Sequence, residues 1–179
     1  MIKDWHDILE ACKHGDRIAQ KQFYERFKDK MFVLCLRYAN SREDAEDLLQ
    51  EGFITVFRDL HQYKGVGNLE GWVRKVILNI ALQYIRRQKH LFQMIELEDV
   101  AHRLQSEHDF IEEDTTRNLI RIMQQLPPGF RTVLNLYVLE DYSHEQIAKE
   151  LGISVGTSKS QLNRAKCVMR ALVEKSLTE

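Results

Sequence analysis

Residues 143–175 read SHEQIAKELGISVGTSKSQLNRAKCVMRALVEK, and this stretch decides the fold of the C-terminal part of the chain. Ser143, followed three residues later by Gln146, forms the capping-box pattern that begins a helix. Gly152 is placed to end that helix, because glycine adopts the left-handed C′ conformation without a steric penalty. Ser154 then caps a second, longer helix with apolar residues at helical spacing. The stretch therefore predicts a helix-turn-helix.

The second helix of this pair keeps a polar face of short hydrogen-bonding side chains and cations. Its members are Thr157, Gln161 and Arg164, at i, i+4 and i+7, with Lys159, Asn163, Lys166 and Arg170 beside them. Short polar side chains reach base edges and cations suit phosphates, so the face is a candidate DNA surface. The alternative is an ordinary amphipathic hairpin with a solvated face. The small residues Ala148 and Gly152, where two helices would cross closely, favour the helix-turn-helix.

Charge is unevenly distributed along the 179 residues, although the net charge is only −1. Residues 1–90 carry 16 basic and 13 acidic side chains, residues 91–117 carry 2 and 8, and residues 118–179 carry 8 and 6. The middle segment holds no sustained apolar stripe, and only a short helix near residues 97–104 is expected in it. The pattern predicts two small helical domains, 1–90 and 118–179, joined by a flexible acidic linker, 91–117. The C-terminal domain is expected to be a four-helix unit, in which two further helices cover the back of the helix-turn-helix.

Several classes of protein are disfavoured by what the sequence lacks. Its three cysteines are far apart with no CxxC pair, and its seven histidines include no HExxH, so no metal site is expected. There is no phosphate-binding loop and no pairing of a nucleophile with a base, so neither a cofactor nor an enzymatic activity is expected. No apolar run approaches the ~20 residues of a membrane span, and the N-terminus lacks a signal-peptide core. We expect a soluble, cytoplasmic protein.

The N-terminal half shows helical periodicity and little strand-like alternation, so the predicted fold class is all-α. A first helix is expected over residues 4–14, and Asp16 caps a second that runs to about residue 40. The second helix is expected to turn these side chains inward: Ile18, Phe23, Phe27, Met31, Leu34 and Cys35. Ser41 caps a third helix that extends to about residue 63, and a fourth is expected over residues 69–89.

Acidic residues crowd the start of the third predicted helix: Glu43, Asp44, Glu46, Asp47 and Glu51. Acids in a first helical turn are stabilised by the helix dipole, so part of this pattern is structural. The remaining carboxylates predict an outward acidic patch. That patch is either a solvated face or a docking surface for a basic partner.

The fourth predicted helix has an apolar face and an opposite basic face with no acid in residues 72–90. The basic side carries Lys75, Asn79, Gln83 and Arg86, spaced i, i+4, i+8 and i+11. Such a stripe is typical of a nucleic-acid surface, and an Asn amide can both donate to and accept from an unpaired base. A merely solvated face is the alternative. Trp72 is expected in the core, although it could stack on a base.

Three segments resemble those of bacterial sigma factors. DAEDLLQEGFITVF at residues 44–57 is similar to their polymerase-binding helix, and NLEGWVRKVILNIALQYIRR at residues 68–87 to their minus-ten recognition segment. Residues 126–166, from LPPGF to NRAK, are similar to their minus-thirty-five domain. The order of the segments and the length of the chain, without an extra N-terminal or middle domain, resemble the extracytoplasmic-function group of the sigma-seventy family. One departure is Gly52, which stands where the family usually has a bulkier residue and would weaken its helix by up to ~1 kcal/mol against Ala.

The resemblance implies a role for particular residues. The surface that binds the clamp coiled coil of the RNA polymerase beta-prime subunit corresponds to Asp44, Asp47, Gln50 and Glu51. The surface for the melted minus-ten element corresponds to Lys64, Asn68, Lys75, Asn79, Gln83 and Arg86. The surface for the duplex minus-thirty-five element corresponds to Thr157, Ser158, Lys159, Ser160 and Arg164.

The function implied is promoter recognition, DNA melting and transcription initiation together with core RNA polymerase. The expected partners are core polymerase, promoter DNA in duplex and melted form, and an anti-sigma factor, with no insertion into a membrane. The alternative is a helix-turn-helix transcriptional regulator that acts without core polymerase and binds duplex DNA alone.

Overall fold

The structure is a computed structural model that describes residues 5–88 and 115–178. The short helix expected near residues 97–104 lies outside the described residues, as does most of the predicted linker. Throughout the two described ranges the regular structure is helical, which confirms the all-α fold. Contacts divide the chain into two compact units, Met1–Gln83 and Tyr84–Glu179, here called unit 1 and unit 2.

The described residues form eight α-helices. They are α1 (Trp5–Lys13), α2 (Arg17–Tyr38), α3 (Arg42–Asp59), α4 (Leu69–Arg87), α5 (Thr115–Gln125), α6 (Pro128–Val138), α7 (His144–Leu151) and α8 (Val155–Thr178). A short 3-10 helix, Leu60–Gln62, follows α3 directly. The predicted caps are confirmed: the Asp16 side chain accepts a hydrogen bond from the Ala19 amide and Ser41 accepts one from the Asp44 amide. Each satisfies an amide that the helix itself leaves without a partner.

Unit 1 is built on an aromatic cluster between α1, α2 and α3. The Phe23 ring lies 4.9 Å from Phe27, 5.5 Å from Phe57 and 6.1 Å from Trp5, measured between centroids. The expectation that Ile18 points inward is wrong, since its side chain is 69% exposed. Ile18 is five residues before Phe23, which rotates it by about 140° from that ring on a helix of 3.6 residues per turn.

α3 and α4 approach each other closely at Gly52. A Cβ atom placed on Gly52 would lie 2.8 Å from Cγ1 of Ile77, which is fully buried in α4. The sequence predicted only that Gly52 weakens its helix; the structure adds a reason for glycine at this position, because Gly52 is buried and faces Ile77 of α4. Its missing side chain is what allows the two helices to pack together.

Unit 2 confirms the helix-turn-helix and its predicted signals. The Ser143 hydroxyl accepts a hydrogen bond from the Gln146 amide, and the Ser143 amide donates to Gln146 Oε1 at 2.7 Å, so the capping box is complete. Gly152 ends α7 in the left-handed conformation, with φ of 66°. Ser154 Oγ accepts from the Thr157 amide at 2.9 Å and so caps α8.

The centre of unit 2 is α6, which packs against α5, α7 and α8. Eight consecutive residues of α6, from Gly129 to Leu136, are buried. Polar residues are therefore enclosed as well as apolar ones, among them Arg131, whose Nη1 donates to the Gln124 carbonyl at 3.2 Å. Burial lowers the pKa of Arg131 to about 10, so it remains charged at neutral pH.

Candidate functional site

The outward side of α3 carries the residues predicted to bind polymerase. Asp47, Gln50 and Glu51 are exposed, and we call them the acidic face. The opposite side of the helix is buried. Asp44 is half-buried in the first turn, where its carboxylate also suits the positive end of the helix dipole. The structure thus brings three of the four predicted residues together on one exposed stripe.

The polar side of α4 carries four of the residues predicted to bind the minus-ten element. Lys75, Asn79, Gln83 and Arg86 are all exposed, and we call them the basic face. Their spacing puts them on one side of the helix, while Val73, Ile77, Ile80 and Ala81 are buried on the other, as predicted. Lys75, Asn79 and Gln83 therefore present a cationic group and two amides along one helix surface, while the Arg86 guanidinium donates to Glu150 Oε1 at 3.1 Å.

The loop before α4 holds the other two predicted residues, Lys64 and Asn68, both exposed. Asn68 also begins the helix: its Oδ1 accepts a hydrogen bond from the Glu70 amide at 3.0 Å. Part of its hydrogen-bonding capacity is therefore already used within the protein, and the Nδ2 amide group is the part left to donate to another molecule.

The rings of Tyr63 and Trp72 pack against each other next to that loop, with centroids 5.8 Å apart. Trp72 is half-buried, which agrees only in part with the core position expected for it. The Tyr63 hydroxyl donates to the Gly67 carbonyl at 2.8 Å and ties the loop to the end of the 3-10 helix. The loop is thus anchored at a defined position beside the start of the basic face.

On α8 the structure separates the predicted minus-thirty-five residues into exposed and buried ones. Lys159 and Ser160 are exposed, and Thr157 and Arg164 are half-buried. Ser158 is fully buried, and its Oγ lies 2.9 Å from Nδ1 of His144 on α7. The expectation that Ser158 contacts DNA directly is corrected: in this structure it joins the two helices of the motif.

The burial of Ser158 and Gln161 follows from the register of α8. Ser158 precedes the buried Leu162 by four residues, and Gln161, only 3% exposed, precedes the buried Ala165 by four. Residues four apart lie on the same side of a helix, so both polar side chains fall on the apolar stripe. The sequence predicted that Thr157, Gln161 and Arg164 form the outward row of α8. In the structure Gln161 is buried and the other two are half-buried, so the exposed side of the helix lies at other residues.

The exposed side of α8 is formed by a different row of residues. It includes Gly156, Lys159, Ser160, Asn163, Lys166 and Arg170, with the exposed Cys167 beside them. We call these residues the recognition face. Asn163 and Lys166 belong to the polar face predicted from the sequence, but not to the five residues that the family resemblance assigns to the minus-thirty-five element.

The described residues, 5–88 and 115–178, contain neither a cluster of metal ligands nor a membrane-spanning helix. In those two ranges, no group of three or more His, Cys, Asp or Glu side chains could hold a metal ion. Over the same ranges, no helix is both long enough and apolar enough to cross a membrane.

Comparison with known proteins gives two family matches in order along the chain. The family model for Sigma-70 region 2 matches residues 23–91, and that for Sigma-70, region 4 matches residues 116–166. The first range contains the acidic and basic faces, and the second contains the helix-turn-helix up to Lys166. Together the two models cover the surfaces described above, apart from Arg170 at the end of the recognition face.

Relatives align with the chain over most of its length. The ECF RNA polymerase sigma factor SigE of Mycolicibacterium smegmatis is 30% identical over 172 residues, which cover 92% of this chain and 66% of that protein, slightly under two thirds. The ECF RNA polymerase sigma-E factor of Haemophilus influenzae is 28% identical over 170 residues, which cover 89% of each.

Among solved structures, the sigma factor RpoE in complex with the anti-sigma factor NepR from Bartonella quintana has a TM-score of 0.49 to this chain. It is 19% identical and covers 86% of this chain and 96% of that one. The sequence matches are the stronger observation. On their basis, the chain belongs to the sigma-70 family of RNA polymerase sigma factors, in its extracytoplasmic-function (ECF) group.

Proposed function

We propose that this chain binds core RNA polymerase in the cytoplasm, directs it to promoters and opens the DNA there, through binding alone and without chemistry of its own. The observation that carries the proposal is that α3 and α4 each carry an exposed polar face. One helix, α3, turns acids and an amide outward, and another, α4, turns amides and cations outward. DNA requires a basic surface, which α4 provides, and a basic surface of the polymerase requires an acidic one, which α3 provides.

The acidic face is proposed to bind the clamp coiled coil of the beta-prime subunit. Asp47 and Glu51 supply charge that attracts a basic surface, and Gln50 between them supplies a neutral hydrogen-bonding group. Exposed charges of this kind accelerate encounter and select the partner more than they add affinity, and their effect weakens as salt rises.

The basic face is proposed to hold the melted minus-ten element. Lys75 and Arg86 are suited to phosphates, and the Asn79 and Gln83 amides to the edge of an unpaired base. A base held outside the stack cannot pair again, and extruding one from a duplex costs a few kcal/mol. Binding to this face would supply that free energy. Lys64 and Asn68, in the loop before the helix, would border the captured base.

The recognition face of α8 is proposed to enter the major groove of the minus-thirty-five element. Lys159 and Ser160 lie near the start of the helix, where helix-turn-helix proteins contact base edges, and the cations further along suit phosphates. Ser158 is assigned a different role from the one first expected, since it positions the helix through His144. In this proposal, residues 1–90 and 118–179 act as two binding domains joined by the acidic segment 91–117.

An anti-sigma factor is part of the same proposal, on the ground that such proteins regulate members of the family. It would have to cover at least one of the three faces to block transcription.

The proposal is tested by transcription in vitro with purified core polymerase and a promoter. We expect specific initiation only when this chain is added. Asp47→Lys should weaken polymerase binding by charge reversal, and Asp29→Lys is the matched control, because Asp29 is an exposed acid on α2 whose reversal changes the net charge equally.

Equal affinity of Asp47→Lys and the unchanged chain for core polymerase at low salt would count against the docking surface. A footprint of the chain on duplex DNA, combined with no binding to core polymerase, would indicate instead a regulator that acts alone.

A further inference from the structure

Ile54 lies at the C-terminal end of the acidic face of α3. Its side chain is apolar and 68% exposed, although the neighbouring exposed side chains of the acidic face are polar. It follows Asp47 by seven residues, Gln50 by four and Glu51 by three. At about 100° per residue, Ile54 is rotated by only about 20°, 40° and 60° from these three side chains. An apolar side chain is therefore bordered on one helix surface by two carboxylates and an amide.

The core of unit 1 does not use Ile54. The buried side of α3 is already supplied by Leu48, Leu49, Phe53 and Val56, and Gly52 makes the closest approach to α4. A single exposed Ile is common on protein surfaces and needs no explanation by itself. An apolar centre with a polar border is, however, the arrangement found in protein–protein interfaces, where a few central residues carry most of the affinity.

We propose that Ile54 is the apolar anchor of the acidic face, and that it inserts into an apolar socket with a basic border on core RNA polymerase. The occupant is fixed by charge: only a basic border complements Asp47 and Glu51, which lie about two turns and one turn before Ile54, since Arg58, one turn after it, is paired with Asp59. This inference rests on the proposed function, since it adds a contact to the same docking surface. In this inference the charges of Asp47 and Glu51 select the partner, and the buried Ile54 side chain slows its dissociation.

These two contributions respond differently to salt. Burial of an apolar side chain depends little on moderate salt, whereas attraction between exposed charges is screened within about 10 Å at 0.1 M salt. We therefore expect Ile54→Ala to weaken core binding by about tenfold or more, and by a similar factor at about 0.1 M and about 0.4 M salt. The loss caused by Asp47→Lys should shrink over the same range.

The experiment is an equilibrium competition for core polymerase. Unlabelled variants of the full chain displace a tracer, the unchanged chain labelled at the exposed Cys167, and fluorescence anisotropy gives each affinity. Ile18→Ala is the matched control, because Ile18 is 69% exposed in the same unit but belongs to α2. Ile54→Leu should retain most of the affinity. Ile54→Ala has a favourable helix propensity, and an unchanged urea transition of unit 1 would verify that it folds.

Each outcome decides the inference. A salt-independent loss for Ile54→Ala, with Ile18→Ala unaffected, supports it. If Asp47→Lys weakens binding and Ile54→Ala does not, the anchor is refuted while the proposed function stands. If Ile18→Ala and Ile54→Ala weaken binding equally, the effect is not specific to this face and the inference is again refuted. If the unchanged chain does not bind core polymerase, the proposed function fails, and the anchor fails with it.

Discussion

Replacement of Gly52 by Ala has two effects of opposite sign on the free energy of unfolding of unit 1. Alanine in a helix interior is more favourable than glycine by about 0.5–1 kcal/mol, so helix propensity alone predicts a more stable protein. The new Cβ would, however, lie 2.8 Å from Ile77 Cγ1, 3.4 Å from its Cδ1 and 3.5 Å from its Cβ. The first of these distances is shorter than any normal carbon–carbon contact.

The clash is expected to exceed the gain in propensity. Cγ1 is close to the backbone of a β-branched residue that is fully buried, so it cannot move aside as the end of a long side chain would. Overpacking of a close-packed core costs about 1–3 kcal/mol. After subtraction of the gain in helix propensity from this cost, we expect Gly52→Ala to lower the free energy of unfolding of unit 1 by about 1 kcal/mol. The matched control is Gly71→Ala in α4, where the nearest atom is Asn68 Cβ at 3.8 Å and a small stabilisation is expected.

The assay is urea unfolding of the full chain followed by tryptophan fluorescence. The only two tryptophans, Trp5 and Trp72, both belong to unit 1, so the signal reports that unit. A double-mutant cycle with Ile77→Ala isolates the contact. Once the Ile77 side chain is truncated, Gly52→Ala should become stabilising. If Gly52→Ala instead stabilises the unchanged chain as Gly71→Ala does, the close approach of α3 and α4 is wrong.

Four further results are expected. Asn79→Ala should impair promoter melting while sparing core binding; unchanged open-complex formation would reject its role. Ser143→Ala removes a cap worth about 1 kcal/mol, so it should shift the urea transition seen by circular dichroism but not by tryptophan fluorescence. Cys167 should react rapidly with a thiol reagent and the buried Cys12 and Cys35 slowly. Burial raises the pKa of Cys12 to about 11 and of Cys35 to about 12, so stability should fall as pH rises above about 9, where unfolded thiols ionise.

The helix boundaries were largely predictable because they depend on local chemistry. Asp16, Ser41, Ser143 and Ser154 each cap a helix as their sequence context indicates. Gly152 adopts the left-handed conformation that its position required. Such signals act within three or four residues, so no knowledge of the tertiary structure is needed to read them.

Burial of individual side chains was less predictable, because it depends on which helix lies opposite. Gly52 reads as a weakness in α3 until Ile77 of α4 is placed against it. Ser158 and Gln161 read as surface residues by their polarity, yet the register set by Leu162 and Ala165 encloses them. At Ser158 and Gln161 the polarity of the side chain predicts exposure, whereas its position on the helix predicts burial. The structure agrees with the position.

The hydrogen bond between His144 and Ser158 limits how this protein could acquire a new upstream promoter preference. On the proposed function, a change at Ser158 would disturb the junction of the two helices, and a change at Gln161 the buried side of α8, before either altered a base contact. Useful variation is therefore confined to Lys159, Ser160 and Asn163. A library aimed at an orthogonal promoter pair should randomise those three codons and keep the two enclosed ones fixed.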